Sequence, residues 1–154
     1  MKHVLFIATV ATMIFSGYQA QAAQGLGKAK MRVVTAVAIN KVSDLIFDDV
    51  GAGAAEETVP ADSTDNAKNA SFAITGEPSR PITVTLPSDG VVVMATGGGG
   101  ADETIAVNSF TSNNVTQLDV AGNAELLVGA TRAALSATQV AGDYEANFTV
   151  DVVY

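Results

Sequence analysis

The sequence predicts an all-β fold, a two-sheet β-sandwich that follows an N-terminal signal peptide. Apolar and polar residues alternate with a period of two, and turn-forming residues divide the chain into about eight short alternating segments. Alternation of this kind is typical of strands with one buried face and one wet face. Many short strands separated by turns favour two packed antiparallel sheets.

Residues 1–22 have the order of a secretory signal peptide. Lys2 precedes an apolar run at residues 4–15, and residues 20–22, Ala-Gln-Ala, supply the small side chains of a cleavage site. The run is shorter than the ~20 residues of a membrane-spanning helix, so we expect no membrane span in the mature chain. The mature protein would begin at Ala23 and be secreted, through the periplasm, to the cell surface or beyond. An uncleaved N-terminal anchor is the alternative.

Composition argues against an enzyme. The chain's single histidine, His3, lies in the signal peptide, and there is no cysteine. Ser-His-Asp and Cys-His nucleophiles, disulfides and nearly all zinc sites are therefore excluded. Acidic pairs such as Asp48-Asp49 and Asp102-Glu103 lack the spacing of a calcium loop and are interpreted as solvated charges. We expect no catalytic residue, no cofactor and no metal.

The charge balance also limits the partners. Sixteen acidic residues face eight basic ones, and loss of Lys2 leaves seven basic residues and a net charge of −9. Binding of nucleic acid requires a basic surface, so no nucleic-acid partner is expected. A negative net charge is typical of a secreted protein that stays soluble.

The first alternating segment lies close to the mature N-terminus and has two interpretations. It is either the first strand of its own sandwich or, at residues 23–33, an extended segment that adds as a strand to a neighbouring subunit. The sandwich domain would then cover residues 34–154. The candidate donor residues are Leu26, Met31, Val33 and Thr35. The basic residues on one face, expected to steer the segment toward an acidic neighbour, are Lys28, Lys30 and Arg32.

Turn and breaker residues place the middle elements. Residues 51–69 are rich in small and acidic side chains and predict a long loop, or a loop with a weak edge strand. Pro81 and Pro87 bracket a short alternating strand, where a missing N–H is tolerated. Between Val107 and Phe110 the apolar residues change from odd to even positions. This change predicts a bulge or bend near Asn108 and Ser109.

The last segment has the clearest alternation in the chain. Its apolar face contains Tyr144, Phe148, Val150, Val152 and Tyr154. Its polar face contains Glu145, Thr149 and Asp151. This pattern predicts a C-terminal core strand with one face on the core and the other in water.

Several strings resemble the domain of unknown function 4402 family (DUF 4402). They are SFAITGEP at residues 71–78, ITVTLP at 82–87, NSF at 108–110, LLVG at 126–129, GDY at 142–144, FTV at 148–150 and the final Tyr154. The resemblance covers about residues 33–154. Leu45 to Phe47 resembles the family's leucine–phenylalanine signature, although Asp48 stands where the family usually has glycine. Gly76 and Gly142 match family glycines at strand ends, where a turn can need a positive φ.

The ending of the chain is similar to spore-coat-U and archaic chaperone–usher pilin domains. That resemblance implies an immunoglobulin-like sandwich and a subunit role in a surface fibre, with identical subunits, a periplasmic chaperone and an outer-membrane usher as partners. It supplies no catalytic residues. We therefore expect a non-catalytic structural subunit of a bacterial surface fibre or pilus. A free-standing extracellular adhesin or ligand-binding sandwich is the alternative, which the oligomeric state would distinguish.

Overall fold

A computed structural model describes residues 24–62 and 67–154, in two units. The predicted signal peptide and its cleavage site at Ala23 lie outside the described residues. In the first unit, which ends at Arg32, residues 24–32 are exposed and belong to no helix or strand. The second unit, residues 33–154, contains all the strands that follow.

The second unit is all-β, which confirms the predicted class. The described residues contain no α-helix, and one 3₁₀-helix covers Ala101–Glu103. The eight strands are β1 Ala38–Ser43, β2 Glu57–Val59, β3 Ala70–Thr75, β4 Thr83–Thr85, β5 Val92–Ala95, β6 Thr104–Ser112, β7 Asn123–Arg132 and β8 Asp151–Val153. Six of them form one antiparallel sheet in the order β1-β3-β7-β6-β5, with β2 also paired to β7. The other two, β4 and β8, form a second small sheet.

Strand β7 organises the large sheet because it pairs along both edges. On one edge β3 pairs with its first half and β2 with its last three residues. Gly129 lies where the partner changes from β3 to β2. A Cβ on Gly129 would lie 2.7 Å from Ala61 N, so only glycine lets the two backbones approach this closely.

The core lies on the face of the large sheet that carries the alternating apolar residues. Phe72 and Ile74 on β3 and Leu126 and Val128 on β7 are buried in one cluster. Side chains from both strands of the small sheet, including Val84 and Val152, pack against this cluster. The small sheet therefore contributes side chains to the same core as the large sheet.

The predicted irregularity near Asn108 and Ser109 is confirmed. The β6–β7 register shifts between Asn108 and Thr111, and Ser109 has a φ of 52°. The Asp89 carboxylate accepts a hydrogen bond from Ser109 N at 2.6 Å, and Asn108 Oδ1 accepts one from Gly90 N at 2.8 Å. These two bonds hold the bulge against the preceding turn.

Both terminal strands are shorter than the alternation predicts. The first alternating run reaches from Met31 to Ile39, but strand structure begins only at Ala38. The last run reaches from Tyr144 to Tyr154, but β8 covers only Asp151–Val153. Alternation indicates an extended backbone with two different faces, whereas a strand also needs a hydrogen-bonded neighbour.

Candidate functional site

The N-terminal segment, defined here as residues 24–34, carries large apolar side chains in water. Leu26 is 104% exposed, Met31 87% and Val33 81%. No described residue pairs with the segment as a strand. Lys28, Lys30 and Arg32 are also exposed and occupy alternate positions of the same stretch. The segment therefore combines apolar and basic side chains on an exposed run of backbone.

The backbone of Thr35 is fixed to the β unit by side chains from two distant parts of the chain. Its N–H donates to Glu77 Oε2 at 3.0 Å, and its carbonyl accepts from the Tyr154 hydroxyl at 2.7 Å. That hydroxyl also accepts from Glu77 N at 2.6 Å, and the Arg80 guanidinium lies 4.8 Å from the Tyr154 ring centroid. We call Glu77, Tyr154 and Arg80 the Thr35 clasp. Thr35 is a candidate donor residue, but its backbone is bound by the clasp, and the continuously exposed residues N-terminal to it are 24–33.

The clasp explains why residue 76 is glycine. A Cβ on Gly76 would collide with the Tyr154 hydroxyl and lie 3.0 Å from Leu118 Cδ1. The expectation of a positive φ at Gly76 and Gly142 is wrong, because the glycines with positive φ are Gly53, Gly90, Gly97 and Gly122. At Gly76 the requirement is steric: the last side chain of the domain needs this space.

The structure brings most of the C-terminal apolar residues to the core. Val150 is 8% exposed, and Phe148 and Val152 pack against the buried cluster while Glu145, Thr149 and Asp151 are exposed. The Phe148 ring lies 6.2 Å from the Phe72 centroid and 5.4 Å from the Phe110 centroid. Such aromatic pairs stabilise the folded state by more than the burial of their apolar surface alone provides.

The tyrosines at the two ends of this run form hydrogen bonds through their hydroxyl groups. The Tyr144 hydroxyl donates to the Val140 carbonyl at 2.7 Å and accepts from Gln139 Nε2 at 2.8 Å. Tyr154, 38% exposed, belongs to the clasp. The tyrosines therefore anchor the run at its two ends, and Phe148, Val150 and Val152 between them pack on the core.

Between the two tyrosines, the backbone of residues 146–150 has no strand partner among the described residues. Glu145 forms an isolated bridge with Ala95, and β8 begins at Asp151. Among the described residues, none forms a backbone hydrogen bond with residues 146–150. From Phe148 to Val152 the side chains alternate between core and water as in a strand, but the peptide groups of residues 146–150 have no strand partner among the described residues.

A cavity of about 710 Å³ adjoins this run. Its walls are residues 45–52 and 139–145, and Met94, Ile105 and Arg132 also line it. The volume lies within the range of ligand pockets, about 300–1,000 Å³. Arg132 is 3% exposed, and its Nε has no hydrogen-bond partner among the described residues.

An ion-pair cluster stands beside the cavity. Arg132 Nη2 lies 3.6 Å from Glu57 Oε2, and Lys68 Nζ lies 2.6 Å from Asp48 Oδ2 and 3.2 Å from Glu57 Oε1. The hydrogen bond to Asp48, and then that to Glu57, raises the pKa of Lys68. Buried Arg132 must be paired, and Glu57 and two backbone carbonyls supply its partners.

Residues 24–62 and 67–154 contain neither of two other kinds of site, a cluster of metal ligands and a helix able to span a membrane. No three His, Cys, Asp or Glu side chains there converge as ligands for a metal ion. No helix in those ranges has the length and apolar character to cross a bilayer.

Sequence reasoning did not identify the clasp or the cavity. Tyr154 was assigned to the core from its place in the alternation, yet its hydroxyl holds Thr35 and Glu77. Alternation specifies the face of a residue, whereas a polar contact across 119 positions depends on tertiary structure. The one sequence feature that pointed to the clasp was the Gly76-Glu77 pair, which lies in the family-like string at residues 71–78.

Comparison with known proteins gives one match. No curated protein and no solved structure matches the chain. The family model described as "Domain of unknown function (DUF4402)" matches residues 46–154. That match contains Glu77, the whole C-terminal run and the cavity lining apart from Leu45, and it lies C-terminal to the exposed segment. The protein therefore belongs to the DUF4402 family.

Proposed function

We propose that the protein is a non-catalytic, secreted structural subunit of a bacterial surface fibre or pilus. In this proposal the N-terminal segment of one copy adds as a strand to the β unit of the next copy, which is donor-strand exchange. The observation that carries the proposal is the exposure of Leu26, Met31 and Val33 on backbone that no described strand pairs.

Scattered apolar residues on a protein surface need no explanation, but this segment differs in two respects. Leu26, Met31 and Val33 are almost fully exposed, and no described strand pairs with the peptide groups of the segment. Backbone that no strand pairs, when it carries exposed apolar side chains, is a template for pairing with another chain. Eleven extended residues reach about 36 Å, which is long enough to run beside a whole strand.

The finer features of the proposal come from the resemblance to archaic chaperone–usher pilins. They are an immunoglobulin-like sandwich, export through the periplasm after cleavage before Ala23, and a chaperone and usher as assembly partners. Strand addition supplies the energetic reason for a chaperone. A subunit with unpaired backbone and exposed apolar groups needs protection until the next subunit arrives.

The cavity favours a second candidate function, a free-standing extracellular binding module. Its volume of about 710 Å³ would admit a small ligand, and Arg132 supplies a buried polar group at its lining. In this alternative the N-terminal segment is a solvated leader. A monomeric full-length protein that binds a small ligand would favour the module over the fibre subunit.

The oligomeric state of the secreted protein tests the proposal. We expect the full-length mature chain to form polymers visible by electron microscopy and analytical ultracentrifugation. A chain without residues 24–34 should be exported, keep its β-rich circular dichroism spectrum and remain monomeric, because only the donor has been removed.

A matched pair of variants separates the donor from general surface apolarity. Met31→Ser with Val33→Ser should reduce assembly, because both change residues of the segment. Val91→Ser with Val120→Ser should leave it unchanged, because these exposed valines lie outside the segment and the cavity lining. A full-length chain that stays monomeric at every concentration, with or without an added chaperone, would refute the fibre proposal.

A further inference from the structure

Residues 146–150 of the C-terminal run have no strand neighbour among the described residues. They lack backbone hydrogen bonds to any described residue, yet Phe148 and Val150 lie on the core as strand residues do. Residues as buried as these two nearly always have hydrogen-bonded peptide groups in folded proteins. The run therefore offers a row of donors and acceptors beside an apolar surface, which is the arrangement that an added strand satisfies.

A second open edge continues toward the same cavity. Within the described residues β1 pairs only with β3, so its other edge has no strand partner. The chain after β1 becomes the cavity wall at residues 45–52, and the residues before 146 form the opposite wall. Leu45 and Phe148 both pack against the same two buried clusters. We call the cavity together with the unpaired run at residues 146–150 the acceptor groove.

The charges of the acceptor groove oppose those of the N-terminal segment. Asp49 and Asp143 line the cavity, as does Glu145, and none of them forms an ion pair with a described residue. The basic row of the segment consists of Lys28, Lys30 and Arg32. Complementary charge steers association and suppresses wrong registers.

The lining of the acceptor groove also contains an unsatisfied buried donor. Arg132 Nε has no partner in the described part of the chain, and Arg132 is 3% exposed. Buried donors without an acceptor are rare in native structures.

We propose that the acceptor groove binds residues 24–34 of a second copy of this chain. Met31 and Val33 would face the apolar interior of the groove, and the alternate basic row would stay at the surface beside Asp49, Asp143 and Glu145. The inference rests on the proposed self-assembly and specifies the surface that accepts the strand.

A second groove in the domain is the rival acceptor. It has a volume of about 590 Å³ and lies between residues 84–86 and 110–114. Its lining includes Val84, Leu86 and Phe110 but no charged residue. A basic segment would gain no charge complementarity there, so we assign the segment to the acceptor groove.

Cross-linking between single-cysteine variants tests this assignment, because the native chain contains no cysteine. Full-length Lys30→Cys is mixed before assembly with either Asn147→Cys, in the acceptor groove, or Thr111→Cys, in the rival groove. A bifunctional maleimide is added, and the linked peptides are identified by mass spectrometry. Asn147 and Thr111 are both exposed, so the two reporters are matched in accessibility.

We expect the link from Lys30→Cys to Asn147→Cys to exceed the link to Thr111→Cys several-fold. Assembly with the link predominantly at Thr111→Cys, or with no link at either reporter, would overturn the acceptor groove and leave the proposed fibre function standing. Absence of assembly in the parent full-length chain would overturn both proposals. The outcomes therefore separate the failure of this inference from the failure of the proposed function.

Discussion

The first and last alternating segments have the same sequence pattern and opposite structural outcomes. Near the N-terminus, Met31 and Val33 are 87% and 81% exposed. Near the C-terminus, Val150 is 8% exposed and Phe148 packs against the core. Both ends nevertheless contain backbone that no described strand pairs, at residues 24–34 and 146–150.

An alternating pattern alone does not show whether a segment is buried or whether it pairs with another strand, and the two segments show that these are separate requirements. An apolar row needs a core to cover it, and a strand needs a neighbour to pair with it. Within the described residues, the C-terminal run packs on the core but has no strand neighbour at residues 146–150, whereas the N-terminal segment is exposed and no strand pairs with it. Each end could supply what the other lacks, provided that the two ends belong to different copies.

The largest expected effect is a difference in the free energy of unfolding between a substitution in the C-terminal run and one in the N-terminal segment. Phe148→Ala should lower the free energy of unfolding by about 3 kcal/mol, because it removes a ring packed on Phe72 and Phe110. Met31→Ala should change it by less than about 0.5 kcal/mol in dilute monomer, because the side chain is exposed. Urea titration of both variants measures the difference. Equal losses would show that the two rows do not differ in burial.

A smaller effect is expected where the last residue meets the end of β3. Gly76→Ala should cost about 1–3 kcal/mol, because the new Cβ collides with the Tyr154 hydroxyl and crowds Leu118. Gly51→Ala is the matched control, since nothing lies within 4 Å of its added Cβ. Thermal unfolding of the two variants tests this contrast. A harmless Gly76→Ala would mean that the clasp is not packed as described.

The smallest effect concerns the clasp itself. Tyr154→Phe removes the hydroxyl that bonds Thr35 and Glu77 and should cost about 1 kcal/mol. The Glu77 amide should exchange with solvent faster, since its acceptor is lost. Thr35→Ala should leave that exchange unchanged, because the clasp holds only the main chain of Thr35. Unchanged exchange in Tyr154→Phe would contradict the clasp.

Local patterns predicted the class of fold and one irregularity in it. Period-two alternation predicted an all-β chain, and the change of apolar parity predicted the bulge that the register shift after Asn108 confirms. Both signals act over a few residues. The resemblance to the family, which also came from local strings, is confirmed by the family match over residues 46–154.

Contacts between residues far apart in the sequence were not predictable from the same patterns. The sequence does not encode locally that β7 exchanges β3 for β2 at Gly129, or that Tyr154 reaches Thr35. Gly76 and Gly142 were expected to have positive φ, yet the reason at Gly76 is the space that Tyr154 occupies. The cavity depends on walls more than 80 positions apart, at residues 45–52 and 139–145. The donor role of residues 24–34 stays a prediction.

Amide hydrogen exchange at residues 146–150 tests most directly whether the two unpaired regions are partners between copies. We predict slow exchange in assembled full-length protein and fast exchange in the chain without residues 24–34. Adding a synthetic peptide of residues 24–34 should slow it again. Equal exchange with and without the segment would contradict the account, as would slow exchange in a dilute full-length monomer, because pairing would then be absent or confined to one chain.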